Sequence, residues 1–202
     1  MQEFEVIEDV EVNGKEKKCV AISYLEPEYI KFNSKLKLKR GDRVNVDGNS
    51  AKFMGNVAGE ILERKSAGNV SVSTDFDIKY TGGYSLDGST IYLDEHFPPI
   101  MKIAGKDIDA RKTIGLHHEL PEKWLSDDGY EYPYAHEMAT GIEKKYVESL
   151  GITWKEYCSE VDKNLRHVYS RMLEKSPPSL DLAPYLYCRD KEALNEIRKS
   201  RD

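Results

Sequence analysis

The residues best suited to chemistry lie in two short segments in the second half of the chain. The first reads His117-His118-Glu119-Leu120-Pro121-Glu122, and the second contains His136 and Glu143. Residues four or seven positions apart share a helix face, so each pair of imidazole and carboxylate is expected to point to one spot. These donors suit zinc, or iron or manganese where more oxygen ligands are present. The sequence therefore predicts a site on two adjacent helices for zinc or another divalent metal, with the candidate ligands His118, Glu122, His136 and Glu143.

The same side chains also fit a purely structural role. His136 and Glu143 share their helix face with Ala139 and Val147, and this face is expected to pack against the rest of the protein. Polar groups on such a face must be paired, because an unpaired buried carboxylate is costly or shifts its pKa. Two imidazoles and two carboxylates can satisfy one another as a buried hydrogen-bond network, and the sequence leaves this alternative open.

The stretch from Leu116 to Glu122 resembles the H-E-x-x-H helix of the zincin metallopeptidases. In that family two histidines one turn apart bind zinc, the glutamate between them activates the metal-bound water, and a third ligand follows on a later helix. The resemblance implies that His118 is the first ligand and that Glu119 is the catalytic general base. It implies a third ligand at Glu143, with His136 as the competing residue for that role.

The sequence departs from the zincin motif at two positions. Glu122 stands where the family has its second histidine, so the motif here is H-E-x-x-E. Pro121 has no amide hydrogen and clashes with the preceding turn, which predicts that the helix kinks or begins there. A helix that begins at Pro121 would turn His118 and Glu122 away from each other.

A wider pattern joins the two segments. H-E-x-x-E is followed by a Gly-x-x-Tyr loop at residues 129–132 and then by A-H-x-x-A-x-x-x-E. This arrangement is similar to a family of uncharacterised phage and prophage proteins. The resemblance implies a viral origin without implying an activity, and it does not extend to the N-terminal half.

Two further histidines have simpler interpretations. His117 is expected to point away from His118, to the surface or to a position behind the ligands. His96 follows a predicted strand and is expected to be a loop residue. A second ligand set formed by Asp94, Glu95 and His96 is the alternative.

The first hundred residues predict β-structure. Asn13-Gly14 suits a type I′ turn between two strands, and the alternating segments Lys35–Lys39 and Arg43–Val46 predict a second hairpin. Residues 51–65 are ambiguous, because their apolar residues have helical spacing but Gly55 and Gly59 weaken a helix. The segment Thr90–Leu93 predicts a strand that follows a turn.

Helical patterns follow from about residue 107. One helix is predicted around Ile114–Leu125 and a second from Pro133 to about Leu150, with Gly151 as its stop. Thr153 to Glu156 is a capping box that begins a third. Leu180–Tyr187 is expected to be an extended arm. Strands followed by helices predict an α+β fold, with a β-rich domain at residues 1–100 and a helical domain at 101–202 that carries the His/Glu cluster.

Composition excludes several classes of protein. The net charge is −6, which does not favour a duplex nucleic acid partner. The sequence contains no run of 18 apolar residues, so it predicts no membrane span, and the acidic N-terminus does not resemble a signal peptide. We therefore expect a cytoplasmic protein, located in the bacterial host cytoplasm or in the virion if a phage encodes it.

Two hypotheses follow. The first is a metal-dependent hydrolase of the peptidase or amidase type, in which the metal polarises the scissile carbonyl and Glu119 accepts a proton from water. The second is a non-enzymatic phage accessory or virion-associated protein. In that case the β-rich half would contact a protein or peptide partner, and the cluster would only hold two helices in register.

Overall fold

The structure, a computed structural model, describes residues 3–12, 15–23, 39–46 and 49–201. The chain forms two compact units, residues 1–64 and residues 65–202. Strands precede residue 110 and helices dominate from residue 111 onward, which confirms the predicted α+β class. The predicted domain change at residue 100 lies inside the second unit. The strands after residue 70 belong to that unit because they pack against its helices.

The first unit contains an antiparallel sheet with the strand order β2-β1-β4-β3. Its elements are β1 (Glu3–Val12), β2 (Lys15–Ser23), β3 (Arg43–Val46), β4 (Asn49–Gly55) and the helix α1 (Val57–Arg64). β1 and β2 pair in the register of the predicted first hairpin, with Val12 opposite Lys15. The turn Asn13-Gly14 itself lies outside the described residues. Most of Lys35–Lys39 also lies outside them, and β3 pairs with β4.

The second unit begins with a three-stranded sheet in the order β5-β7-β6. Its strands are β5 (Ser71–Phe76), β6 (Gly82–Tyr84) and β7 (Thr90–Asp94), and a separate hairpin follows with β8 (Ile100–Ile103) and β9 (Lys106–Asp109). β7 confirms the strand predicted at Thr90–Leu93. Its residues from Ile91 to Asp94 are all buried, since a central strand is covered on both faces.

Helices make up most of the rest of the second unit. A π-helix (Arg111–Glu119) runs directly into α2 (Leu120–Asp127), followed by α3 (Tyr132–Ser149), α4 (Trp154–Tyr169), α5 (Ala183–Tyr187) and α6 (Lys191–Arg201). The predicted capping box is present at the start of α4, where Thr153 and Glu156 exchange backbone and side-chain hydrogen bonds. Gly151 ends the preceding helix with φ of +72°, a conformation that favours glycine.

One predicted element is wrong in its second half. Leu180–Tyr187 was expected to be extended, but residues 183–187 form α5. Pro184 lies in the first turn of this helix, where its missing N–H has no intrahelical partner to lose. Only Leu180 pairs as a strand would, in an isolated bridge to Ser85.

The main core of the second unit packs the hairpin β8–β9 against the π-helix, α3 and α4. Ile114, Val147 and Tyr157 meet Met101 in this cluster. The burial fixes the relative positions of the π-helix and α3, which carry the candidate site. Among the described residues, no helix combines the length and apolar character needed to cross a membrane.

Candidate metal centre

The junction between the π-helix and α2 keeps His118 and Glu122 on one face. Glu119 and Leu120 both have right-handed helical dihedral angles, so the backbone remains helical through the junction. Pro121 lies in the first turn of α2, where its missing N–H is tolerated. The helix changes type at this point, and the two side chains stay on one face. His118 Nε2 lies 3.7 Å from Glu122 Oε2.

α3 brings a third donor to the same point. His136 Nδ1 lies 2.8 Å from Glu122 Oε2 and 3.1 Å from His118 Nε2. Three donor atoms on two neighbouring helical segments therefore converge, and together they can hold a metal ion. Of the predicted ligands, His118, Glu122 and His136 meet through these atoms.

Glu143 lies on the other side of the His118 ring. The Nδ1 atom of His118 donates a hydrogen bond of 3.1 Å to Glu143 Oε2. The second oxygen of Glu143 accepts a bond of 2.5 Å from the Tyr157 hydroxyl. A carboxylate behind a ligating histidine fixes its orientation and directs the opposite ring nitrogen to the metal. This geometry suits Glu143 to orienting His118.

Glu122 has a comparable support. Its Oε1 atom accepts a hydrogen bond of 3.0 Å from the Tyr84 hydroxyl, so Oε2 is left to face the two histidines. Tyr84 is on β6 and is buried. The strand therefore fixes the orientation of a carboxylate on α2.

Glu119, the predicted general base, lies beside the three donors and is only 7% exposed. Gly82 of β6 packs directly against it, since a Cβ atom at Gly82 would lie 2.9 Å from Glu119 Oε1. Burial, followed by the negative charge of Glu122, raises the pKa of the Glu119 carboxyl to about 8. Such a group is suited to accepting and returning a proton near neutral pH.

The centre contains more acid than base. The carboxyls of Glu119, Glu122 and Glu143 are all buried, against the imidazoles of His118 and His136. Burial opposes protonation of His118, but the hydrogen bond to Glu143 and the surrounding carboxylates outweigh it and raise its pKa to about 9. At neutral pH these pKa values leave Glu119 mostly protonated and His118 mostly charged, so a cation that bound here would displace protons from both groups.

A cavity of about 400 Å³ opens onto the centre. His118, Glu119, Glu122 and His136 form one part of its lining. Much of the remainder comes from tyrosines and two aliphatic residues, namely Tyr80, Tyr132, Tyr169, Tyr185, Leu165 and Pro184. These four side chains therefore face a space large enough for a small molecule.

The other histidines lie outside this centre. His117 stacks on Tyr146 with ring centroids 3.7 Å apart and bonds through Nδ1 to the Lys112 carbonyl, so it points away from His118 as predicted. His96 Nδ1 lies 2.8 Å from Asp77 Oδ1 and 3.6 Å from Asp94 Oδ1.

Asp77, Glu95 and His96 form a second group with the spacing of metal ligands. The predicted set had Asp94 in place of Asp77. Asp94 accepts hydrogen bonds from the amides of Ile78 and His96, and Asp77 accepts two from the amides of Glu174 and Lys175. Both buried carboxylates satisfy backbone amides, and Asp77 thereby attaches the segment before α5 to the chain just after β5.

The sequence did not identify Tyr84, Tyr157 or Gly82 as parts of the site. Each lies at least 14 positions from the carboxyl it contacts. No periodic pattern links residues at such separations across different elements. In comparisons with known proteins, no family model, no curated protein and no solved structure matches this chain.

Proposed function

We propose that this chain is a metal-dependent hydrolase of the peptidase or amidase type. The proposal rests on one observation, the convergence of His118 Nε2, Glu122 Oε2 and His136 Nδ1 at an open cavity beside a buried glutamate. A purely structural network has no need of an opening. A catalytic metal centre requires one, because a position must stay available to water and substrate.

The spacing of the three donors supports zinc. Ligands at about 2.0–2.1 Å from a tetrahedral ion lie about 3.3 Å from one another. The three separations here are 2.8, 3.1 and 3.7 Å. Small side-chain rotations bring these atoms to the required distances.

The charges support the same proposal. Three buried carboxyls beside two imidazoles would offer a divalent cation a predominantly anionic set of partners once Glu119 and His118 release their protons on binding. The basic residue Lys123 is buried nearby, but it pairs with Asp127 at 2.7 Å and with Asp181 at 3.3 Å. Its charge is therefore paired with these two aspartates and not with the carboxyls of the centre.

Each residue of the centre has a distinct task in this proposal. Zinc would supply Lewis acidity, polarising the scissile carbonyl and lowering the pKa of a coordinated water. Glu119 would accept the proton of the attacking water and deliver it to the leaving nitrogen. Glu143 would hold His118 in place, and Tyr84 would do the same for Glu122.

Elemental analysis of untagged protein tests the metal, and one substitution tests the chemistry. We expect close to one zinc per chain, and a melting temperature that falls when a chelator is added. Glu119→Gln should keep its zinc and lose cleavage of a mixed-sequence peptide library, followed by mass spectrometry. Glu148→Gln, a charge change on the exposed side of α3, should retain both.

Metal-free protein whose melting temperature is unaffected by chelator would contradict the proposal. It would favour the alternative, a non-enzymatic phage accessory protein in which the cluster only holds two helices in register. Cleavage that survives in Glu119→Gln would remove this residue from the catalytic role while leaving the metal centre intact.

A further inference from the structure

Away from the candidate ligands, the cavity has a continuous aromatic wall. The Tyr80 ring stacks on Tyr185 with centroids 5.9 Å apart and meets Tyr169 edge-on at 5.6 Å. Leu165, one turn before Tyr169 on α4, adds aliphatic surface to the same cavity. We refer to Tyr80, Tyr169, Tyr185 and Leu165 as the tyrosine wall.

The hydroxyl groups of two of these tyrosines form hydrogen bonds within the protein. The Tyr80 hydroxyl donates to Asp190, and the Tyr185 hydroxyl donates to the Lys79 carbonyl at 3.1 Å. Tyr185 is buried, whereas the ring of Tyr80 is partly exposed and is left for contact. Most of the cavity lining is accordingly apolar.

Tyr80 has an unfavourable backbone conformation. Its φ is +74°, which a bulky residue rarely adopts and which the surrounding structure must maintain. The stacked Tyr185 ring and the bond to Asp190 hold it in place. Strain of this kind concentrates at functional sites, and here it places an aromatic ring at the cavity, partly exposed.

The charges at the cavity do not favour an anionic occupant of the wall. No lysine or arginine occurs among the described residues that line it. Its acidic residues are those of the metal centre together with Asp181, whose charge is paired with Lys123. The volume is ample, because an apolar cavity of about 150 Å³ is sufficient to hold benzene.

We propose that the tyrosine wall is a subsite for a bulky apolar side chain, preferably aromatic, on the amide substrate of this enzyme. The inference rests on the proposed hydrolase function and adds the substrate class. A scissile amide held at the metal centre would place a neighbouring side chain in the same cavity, against the tyrosine wall. Offset or edge-on stacking on these rings would then select aromatic over small side chains.

Two hydroxamates that differ only in one side chain test this subsite without requiring turnover. N-acetyl-phenylalanine hydroxamate and N-acetyl-alanine hydroxamate offer the same metal-binding group, and calorimetry with zinc-loaded protein measures both. We expect the phenylalanine compound to bind roughly tenfold more tightly or better, the gain typical of burying one phenyl ring. Tyr169→Ala should remove most of this preference and leave zinc affinity unchanged.

Tyr146→Ala is the matched control, since this tyrosine stacks on His117 away from the cavity, and it should keep the full preference. Leu165→Asn serves if Tyr169→Ala does not fold, and should weaken the preference in the same direction. Equal affinities for the two hydroxamates in zinc-bound parent protein would overturn the subsite and leave the proposed function standing. Protein that binds no zinc would overturn both.

Discussion

Replacing Glu143 with glutamine should weaken zinc binding even though, in our account, this residue does not contact the metal. The wild-type carboxylate is 6% exposed and accepts bonds from His118 Nδ1 and from the Tyr157 hydroxyl. A glutamine has one acceptor oxygen and no charge, so its NH₂ group must face one of these two partners. The orientation of the His118 ring is then less well fixed, and its basicity as a ligand falls.

The loss of such an orienting carboxylate typically costs 10- to 100-fold in metal affinity, or about 1.4 to 2.7 kcal/mol. Competition with a chromophoric chelator at neutral pH measures the zinc dissociation constant of Glu143→Gln against the parent. Glu148→Gln on the same helix carries the same charge change at a half-exposed position and should bind zinc within about threefold of the parent. A folded Glu143→Gln protein with parental zinc affinity would refute the orienting role.

Four further substitutions test the fold around the centre by thermal denaturation and proteolysis. Gly82→Ala would place a methyl group 2.9 Å from a carboxyl oxygen of Glu119 and should lower the free energy of unfolding by about 1–3 kcal/mol. Gly141→Ala, on the open side of α3, should raise the free energy of unfolding by about 0.5–1 kcal/mol. A parental melting temperature for the first variant would refute the close packing. Thr153→Ala removes the capping box and should cost about 1 kcal/mol, which an unchanged melting temperature would contradict. Asp77→Ala leaves the amides of Glu174 and Lys175 without this acceptor and should accelerate tryptic cleavage after Lys175. Parental protease resistance would argue against that attachment.

Helical periodicity was sufficient to predict that the three candidate metal ligands lie close together. His118 and Glu122 are one turn apart, and His136 lies on the next long helix, whose antiparallel packing against the first follows from the short connection between them. The effect of Pro121 on the helix was not predictable from the usual tendency of proline to break or begin a helix. A π-helix precedes it and shifts the backbone register, and local sequence preference does not signal such a rare type of helix.

Sequence patterns could not predict the residues that the sheet and the C-terminal segment contribute to the site. Tyr84 supports Glu122 from 38 positions away, and Tyr185 joins the tyrosine wall from a segment expected to be extended. These contacts depend on how the sheet and α5 pack against α2 and α4. Periodicity indicates which face of a helix or strand is buried, but it does not indicate which other element covers that face.

The location of a bound ion tests the account most directly. Anomalous diffraction from crystals grown with zinc should show a peak within about 2.0–2.2 Å of His118 Nε2, His136 Nδ1 and Glu122 Oε2. Glu143 should remain hydrogen-bonded to His118 and Tyr157 behind that ion. Crystals with no peak at these three atoms, or with zinc only beside Asp77 and His96, would contradict the assignment of the catalytic centre.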